Sequence, residues 1–182
     1  MKWLNCEKMR LVLVGFLAVV MFSVVKAQGA YFLDDFNRPD GEVGNGWEIW
    51  KGGGIEARIV DNEVLFAGEQ RGDWNWSGIY RLVEGETRFS FDFKADDNLD
   101  VQIALWDYET DRCVRFYAWP GGRICYYKNG NVEIPGSPRI TNQYNNLVVE
   151  QDGTDFTLTL NGQVIGTVTD EQYPVIANVI HI

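Results

Sequence analysis

The 182-residue chain carries 26 acidic against 16 basic side chains, a formal net charge of −10, and 46% of its residues are apolar. So negative a polypeptide repels phosphate backbones, which argues against nucleic acid as a partner. One histidine, His181, and three cysteines cannot build a histidine-based triad, a multi-histidine zinc site or a four-cysteine cage.

The first residues read as an address rather than as fold. A basic start (Lys2, Lys8, Arg10) precedes an apolar run from Leu11 to Val25, and Val25-Lys26-Ala27 follows. The run falls short of the ~20 residues that cross a bilayer. It predicts a secretory signal peptide over 1–27, export to the periplasm or the extracellular space, and no membrane insertion. Removing it leaves 12 basic and 25 acidic side chains, a net charge near −13 on a single domain over 28–182.

Hairpin turns punctuate that domain, and Asn-Gly and Asp-Gly tolerate the positive φ that tight hairpins demand. Tyr31 to Phe36 predicts a first strand, Asn37 to Gly46 a turn-rich stretch, and Trp47 to Trp50 a short strand. Ile55 to Val60 and Glu63 to Ala67 form a hairpin about Asp61-Asn62, with Ile55, Ala57, Ile59, Val64 and Phe66 on one face. Trp76 to Val83 is expected to pair with Glu86 to Ala95 about Glu84-Gly85, setting Trp76, Tyr80 and Leu82 against Phe89, Phe91 and Phe93. Val101 to Asp107, Arg112 to Trp119 and Arg123 to Lys128 follow as the middle of the sheet system. Leu147 to Gln151 pairs with Thr154 to Leu160 about Asp152-Gly153, and Asn161-Gly162 leads into Val164 to Thr169. No long helical period interrupts this alternation. The fold class is all-β: two antiparallel sheets packed face to face as a jelly-roll sandwich.

Two stretches carry a family resemblance. Asp34-Asp35-Phe36-Asn37-Arg38-Pro39-Asp40-Gly41-Glu42-Val43-Gly44-Asn45-Gly46-Trp47 resembles the opening of secreted bacterial domains of the concanavalin A-like lectin/glucanase superfamily, laminin G-like jelly rolls included. Leu147 to Gly153, then Leu158-Thr159-Leu160-Asn161-Gly162, is similar to their late hairpin. The chain departs from them at its tail, Tyr173 to Ile182, which lacks their usual closing motif; the tail either substitutes for the final strand or the strand is missing. The resemblance implies a concanavalin A-like sandwich and a carbohydrate-binding or adhesive module that does no chemistry. The alternatives are a glycan-cleaving enzyme using two carboxylates, or a structural domain whose partner is another protein.

The residues favour binding. The E-x-D-x-E strand motif of laminarinase-like glucanases is absent, and Asp92, between Phe91 and Phe93, points away from the core. A three-residue turn at Pro120-Gly121-Gly122 puts Val101, Ile103, Leu105, Val114, Phe116 and Ile124 inward. The opposite face then displays Gln102, Trp106, Arg115, Tyr117, Cys125 and Tyr127, with Trp119 beside the turn. Aromatic faces stack on sugar C–H surfaces, while Gln and Arg donate to hydroxyls. Gln102, Trp106, Arg115, Tyr117, Trp119 and Tyr127 are therefore the expected ligands for a polysaccharide or other glycan. The same register keeps Cys113 and Cys125 too far apart for a disulfide. Two acidic loops, one holding Asp96, Asp97 and Asp100 and the other running from Asp107 to Asp111, suit calcium as the one metal the sequence offers.

Overall fold

The computed structural model describes residues 34–50, 55–68, 78–94, 101–118, 121–127, 131–170 and 177–182. The expected signal segment lies outside them. Among the described residues there are strands and turns and no helix. The strands are β1 (Glu48–Trp50), β2 (Ile55–Val60), β3 (Glu63–Gly68), β4 (Gly78–Leu82), β5 (Arg88–Phe93), β6 (Val101–Asp107) and β7 (Arg112–Ala118). They continue with β8 (Cys125–Tyr127), β9 (Asn131–Glu133), β10 (Asn145–Asp152), β11 (Asp155–Leu160), β12 (Gln163–Thr169) and β13 (Val179–His181). A seven-stranded sheet has the order β1-β4-β13-β6-β7-β8-β9, a four-stranded sheet the order β12-β11-β10-β5, and β2-β3 stands as a hairpin. Every pairing is antiparallel.

Turn chemistry sets the registers. Asp61 and Asn62 have φ of 52° and 66°, and Asn161 and Gly162 have 51° and 80°, so both centres of each two-residue loop are left-handed. The loops bring Val60 opposite Glu63 and Leu160 opposite Gln163. The register expected from Pro120-Gly121-Gly122 is also found, with Phe116 opposite Tyr126 and Tyr117 opposite Cys125.

The main core lies between the two larger sheets. Leu105, Val114, Phe116 and Ile124 meet Leu147, Val149, Phe156, Leu158 and Leu160, all at 1% exposure or less. Each such side chain contributes about 1.5–3 kcal/mol on burial, so a one-residue slip, which would turn a whole strand's apolar set to water, is not tolerated. A second cluster joins Val43, Ala57, Ile59 and Ile79 with Ile49, Val64, Phe66 and Ile182. The β2–β3 hairpin thereby covers the inner face of β1 and β4, and Trp47 touches both clusters.

Four local expectations are corrected. The strands flanking Glu84-Gly85 do not pair: β4 lies between β1 and β13, whereas β5 pairs with β10. The turn crosses from one sheet to the other, so Tyr80 and Leu82 face outward while Phe89 and Phe93 enter the core. Residues 34–36 of the expected first strand are not a strand. The Asp34 carboxylate accepts from the Phe36 amide, and Phe36 turns to a φ of 54°. The turn after β10 is centred on Gly153-Thr154, one residue later than expected, which shifts the pairing by two and leaves every face unchanged. β8 spans only Cys125–Tyr127, shorter than the Arg123 to Lys128 run. The tail that lacks the usual closing motif supplies β13, which sits between β4 and β6 in the interior of the larger sheet.

Candidate functional site

Strand alternation in β6, β7 and β8 sends Leu105, Val114 and Phe116 into the core and Gln102, Trp106, Arg115, Tyr117 and Tyr127 to the outer face of the seven-stranded sheet. Gln102 lies opposite Tyr117, and Trp106 opposite Cys113. Five of the six expected sugar ligands therefore share one face. The sixth, Trp119, lies outside the described residues. Arg115 ties its neighbours together. Its Nε donates to Cys113 Sγ at 2.9 Å, and its guanidinium lies 5.5 Å from the Trp106 ring centroid and 5.7 Å from that of Tyr127. The Tyr117 and Tyr127 rings are 6.1 Å apart.

The other half of the face comes from strands distant in sequence. β13 sets His181 between Tyr80 of β4 and Ala104 of β6. Tyr80 stacks on the imidazole at 5.4 Å and 21°, with Trp106 at 5.6 Å, Tyr108 at 5.8 Å and Trp50 at 5.9 Å around it. The Tyr108 hydroxyl is 2.7 Å from His181 Nε2. The Tyr80 hydroxyl donates to the Glu48 carboxylate across β1 and β4. Trp50 is 50% exposed and Tyr108 44%, so the cluster is partly open to solvent. Among the described residues, the Trp106 indole N–H is buried with no acceptor. Such an orphan donor costs of order 1–3 kcal/mol and is rare in folded proteins.

The charges of this face are few and shaped by their surroundings. Burial, and secondarily the positive Arg115, pull His181 down to about 4, so its imidazole is neutral at physiological pH. The hydrogen bond to Glu48 raises Tyr80 above the usual phenol value, and burial raises Tyr108 and Tyr117. Burial also pushes the Cys113 and Cys125 thiols up, and both are free. Cys125, expected on display, is on this face by register but wholly covered.

Asp96, Asp97 and Asp100 lie outside the described residues. In the second acidic loop, Asp107 accepts from the Glu109 amide at 3.0 Å and the Thr110 hydroxyl at 2.6 Å, the pattern of a carboxylate bracing its own turn. Among the described residues no three His, Cys, Asp or Glu side chains gather to hold a metal ion. Asp92 is exposed on the outside of the smaller sheet and accepts from Asn146 at 2.8 Å.

Glu48, Trp50, Tyr80, Tyr108 and His181 were not foreseen as site residues. The alternation of Gly78 to Leu82 points Tyr80 outward once Ile79 is taken as core, and the assumed pairing with β5 masked this. The β-branched alternation of Val179-Ile180-His181-Ile182 carried a strand signal, but nothing local says that this strand enters mid-sheet.

No protein-family model and no curated protein matches the chain. Solved structures do. A sialidase superposes with a TM-score of 0.65 at 12% identity, covering 84% of this chain and 14% of its own, so the chain spans about a seventh of that protein. Bacillus licheniformis β-glucanase superposes with a TM-score of 0.53 at 13% identity, over 85% of this chain and 84% of its own. The carbohydrate-binding module CBM66 from Bacillus subtilis gives 0.49 at 12% identity, over 75% and 87%. At such identities the likeness to the sialidase and the β-glucanase is one of backbone architecture, and with the two-sheet topology it establishes that this chain has the concanavalin A-like jelly-roll fold.

Proposed function

We propose that the protein is a secreted carbohydrate-binding module and that the outer face of its seven-stranded sheet is the glycan surface. One observation carries the reading. Trp50, Tyr80, Trp106, Tyr108 and His181 form a continuous, partly exposed cluster of rings beside Arg115, Gln102, Tyr117 and Tyr127. Rings stack on the apolar faces of sugars, and the surrounding amide, guanidinium and phenols supply directional hydrogen bonds. Affinities for a single module of this kind fall roughly in the micromolar to millimolar range, about 4–8 kcal/mol.

Binding is favoured over hydrolysis by where the carboxylates sit. A two-carboxylate glycosidase holds its pair ~5–10 Å apart. Among the described strand residues, this face carries Glu48 on β1 and Glu133 on β9, the opposite edges of the sheet, roughly 30 Å apart at 4.7–4.9 Å per strand. A glycan array tests the reading. Trp106→Ala or Tyr117→Ala should weaken binding at least tenfold in protein with unchanged circular dichroism. Binding indifferent to both substitutions overturns the site.

A further inference from the structure

We infer that this face, if it binds glycan as proposed above, takes an internal run of four or five sugars from a linear polysaccharide, laid across the strands, rather than a chain end. The argument rests on register. One row crosses the sheet: Glu48, Tyr80, His181, Ala104 and Arg115 are paired in turn across β1, β4, β13, β6 and β7, and Tyr127 of β8 follows, its ring under the Arg115 guanidinium. It covers five inter-strand steps, ~24 Å at 4.7–4.9 Å each. A pyranose ring repeats along an extended chain at close to one such step.

Flat groups stand along the whole row. Tyr80 stacks on His181 at one end, and Arg115 lies over Tyr127 at the other. Between them Ala104 is small, and Trp106 from the next row leans over the gap to touch both His181 and Arg115. Ring and guanidinium contacts thus run without a break from β4 to β8, and Trp50 joins them on β1. The rows on either side are less suited. Leu82 and Val179 make one apolar beside Trp106, and Gly78 leaves the other without a side chain on β4. A terminal sugar would engage one or two steps of this surface and leave the rest unused. Binding energy spread over several weak stacks requires a ligand that meets them together.

Length dependence tests this. Titration calorimetry with cello-, xylo-, manno- and laminari-oligosaccharides of two to seven residues should show affinity climbing to four or five residues and then levelling. The pentasaccharide of the recognised series should bind about thirty-fold more tightly than its disaccharide. Trp50→Ala, flanking the row at its β1 end, and Tyr127→Ala, at its β8 end, should each lower pentasaccharide affinity severalfold and shorten the length at which the plateau begins. Full affinity at one or two sugars, with sensitivity confined to residues around His181, overturns the inference and leaves glycan binding standing. No binding across these series or the array, by protein with native circular dichroism, overturns both.

Discussion

The hydroxyl of Tyr108 and Nε2 of His181 lie 2.7 Å apart although 73 positions separate them in the chain, because β13 slots in beside β6. The contact sits in a nest of rings that covers part of the imidazole. Burial first, and Arg115 second, bring His181 to about 4, well below its ordinary 6.5. The folded protein thus declines a proton that the unfolded chain accepts. Stability from this group is fully present above pH 6.5 and is lost as pH falls from there to about 4. The sole histidine makes the test clean: a proton NMR titration should report a midpoint near 4 for His181, and Arg115→Gln should raise it. A midpoint at the ordinary value would mean the cluster is open to water.

Trp50 separates binding from folding. Half of its surface is exposed, and it touches the cluster only from the side, at 6.3 Å from Tyr80 and 5.9 Å from His181. Trp50→Ala should change stability by less than about 1 kcal/mol, as surface substitutions do. Thermal denaturation checks that figure and the glycan array checks the loss of binding. A variant that binds normally removes β1 from the site.

The fold was legible wherever a local turn fixes the register. Asp61-Asn62, Pro120-Gly121-Gly122 and Asn161-Gly162 each specify how two neighbouring runs align, and Gln102, Trp106, Arg115, Tyr117 and Tyr127 fell on one face as a consequence. At Asp152-Gly153 the turn falls one residue later than read, without changing a face, and the larger failure came at Glu84-Gly85. A turn that crosses between sheets has the same residues as one that closes a hairpin, since both need only a glycine at positive φ, here 78°. What decides between them is which distant strand is available, and β13 is nearly a hundred residues away. His181 was dismissed for the same reason. A lone histidine suggests no chemistry until the sheet gathers Tyr80, Trp106 and Tyr108 around it.

Asp34 holds the entry loop together. Its carboxylate accepts from the Phe36 amide at 2.9 Å, from both terminal nitrogens of Arg38 at 2.7 and 3.1 Å, from Asn45 at 3.1 Å and from the Trp47 indole at 3.0 Å. Burial opposes its charge, but the bonds from Arg38, Phe36 and Asn45 prevail and hold its carboxyl below the usual range. Its stabilising effect is therefore present above about pH 3.8 and lost on further acidification, outside the window assigned to His181. Asp34→Ala removes the acceptor that Phe36, Arg38, Asn45 and Trp47 share and should cost about 2–4 kcal/mol in urea unfolding. Because Trp47 packs on both cores, its fluorescence should shift as well.

Gly78 gives the sharpest link between backbone and site. A Cβ built there runs into the carbonyl of Ile182, the group that accepts from the Ile79 amide at 2.9 Å and holds β13 against β4. The obstacle is backbone and cannot swing aside, so Gly78→Ala must push the end of β13 away and loosen the pairing of His181 with Tyr80. The expected cost is about 1–3 kcal/mol, with the His181 midpoint moving up toward 6.5 and glycan affinity falling together. Gly85→Ala serves as the comparison. Nothing lies within 4 Å of its added methyl, but its φ of 78° strains any side chain, so it should lose about 1–2 kcal/mol through the turn alone. Equal destabilisation without change in the histidine titration or in binding is the outcome for Gly85→Ala. If Gly78→Ala behaves the same way, β13 does not carry the site.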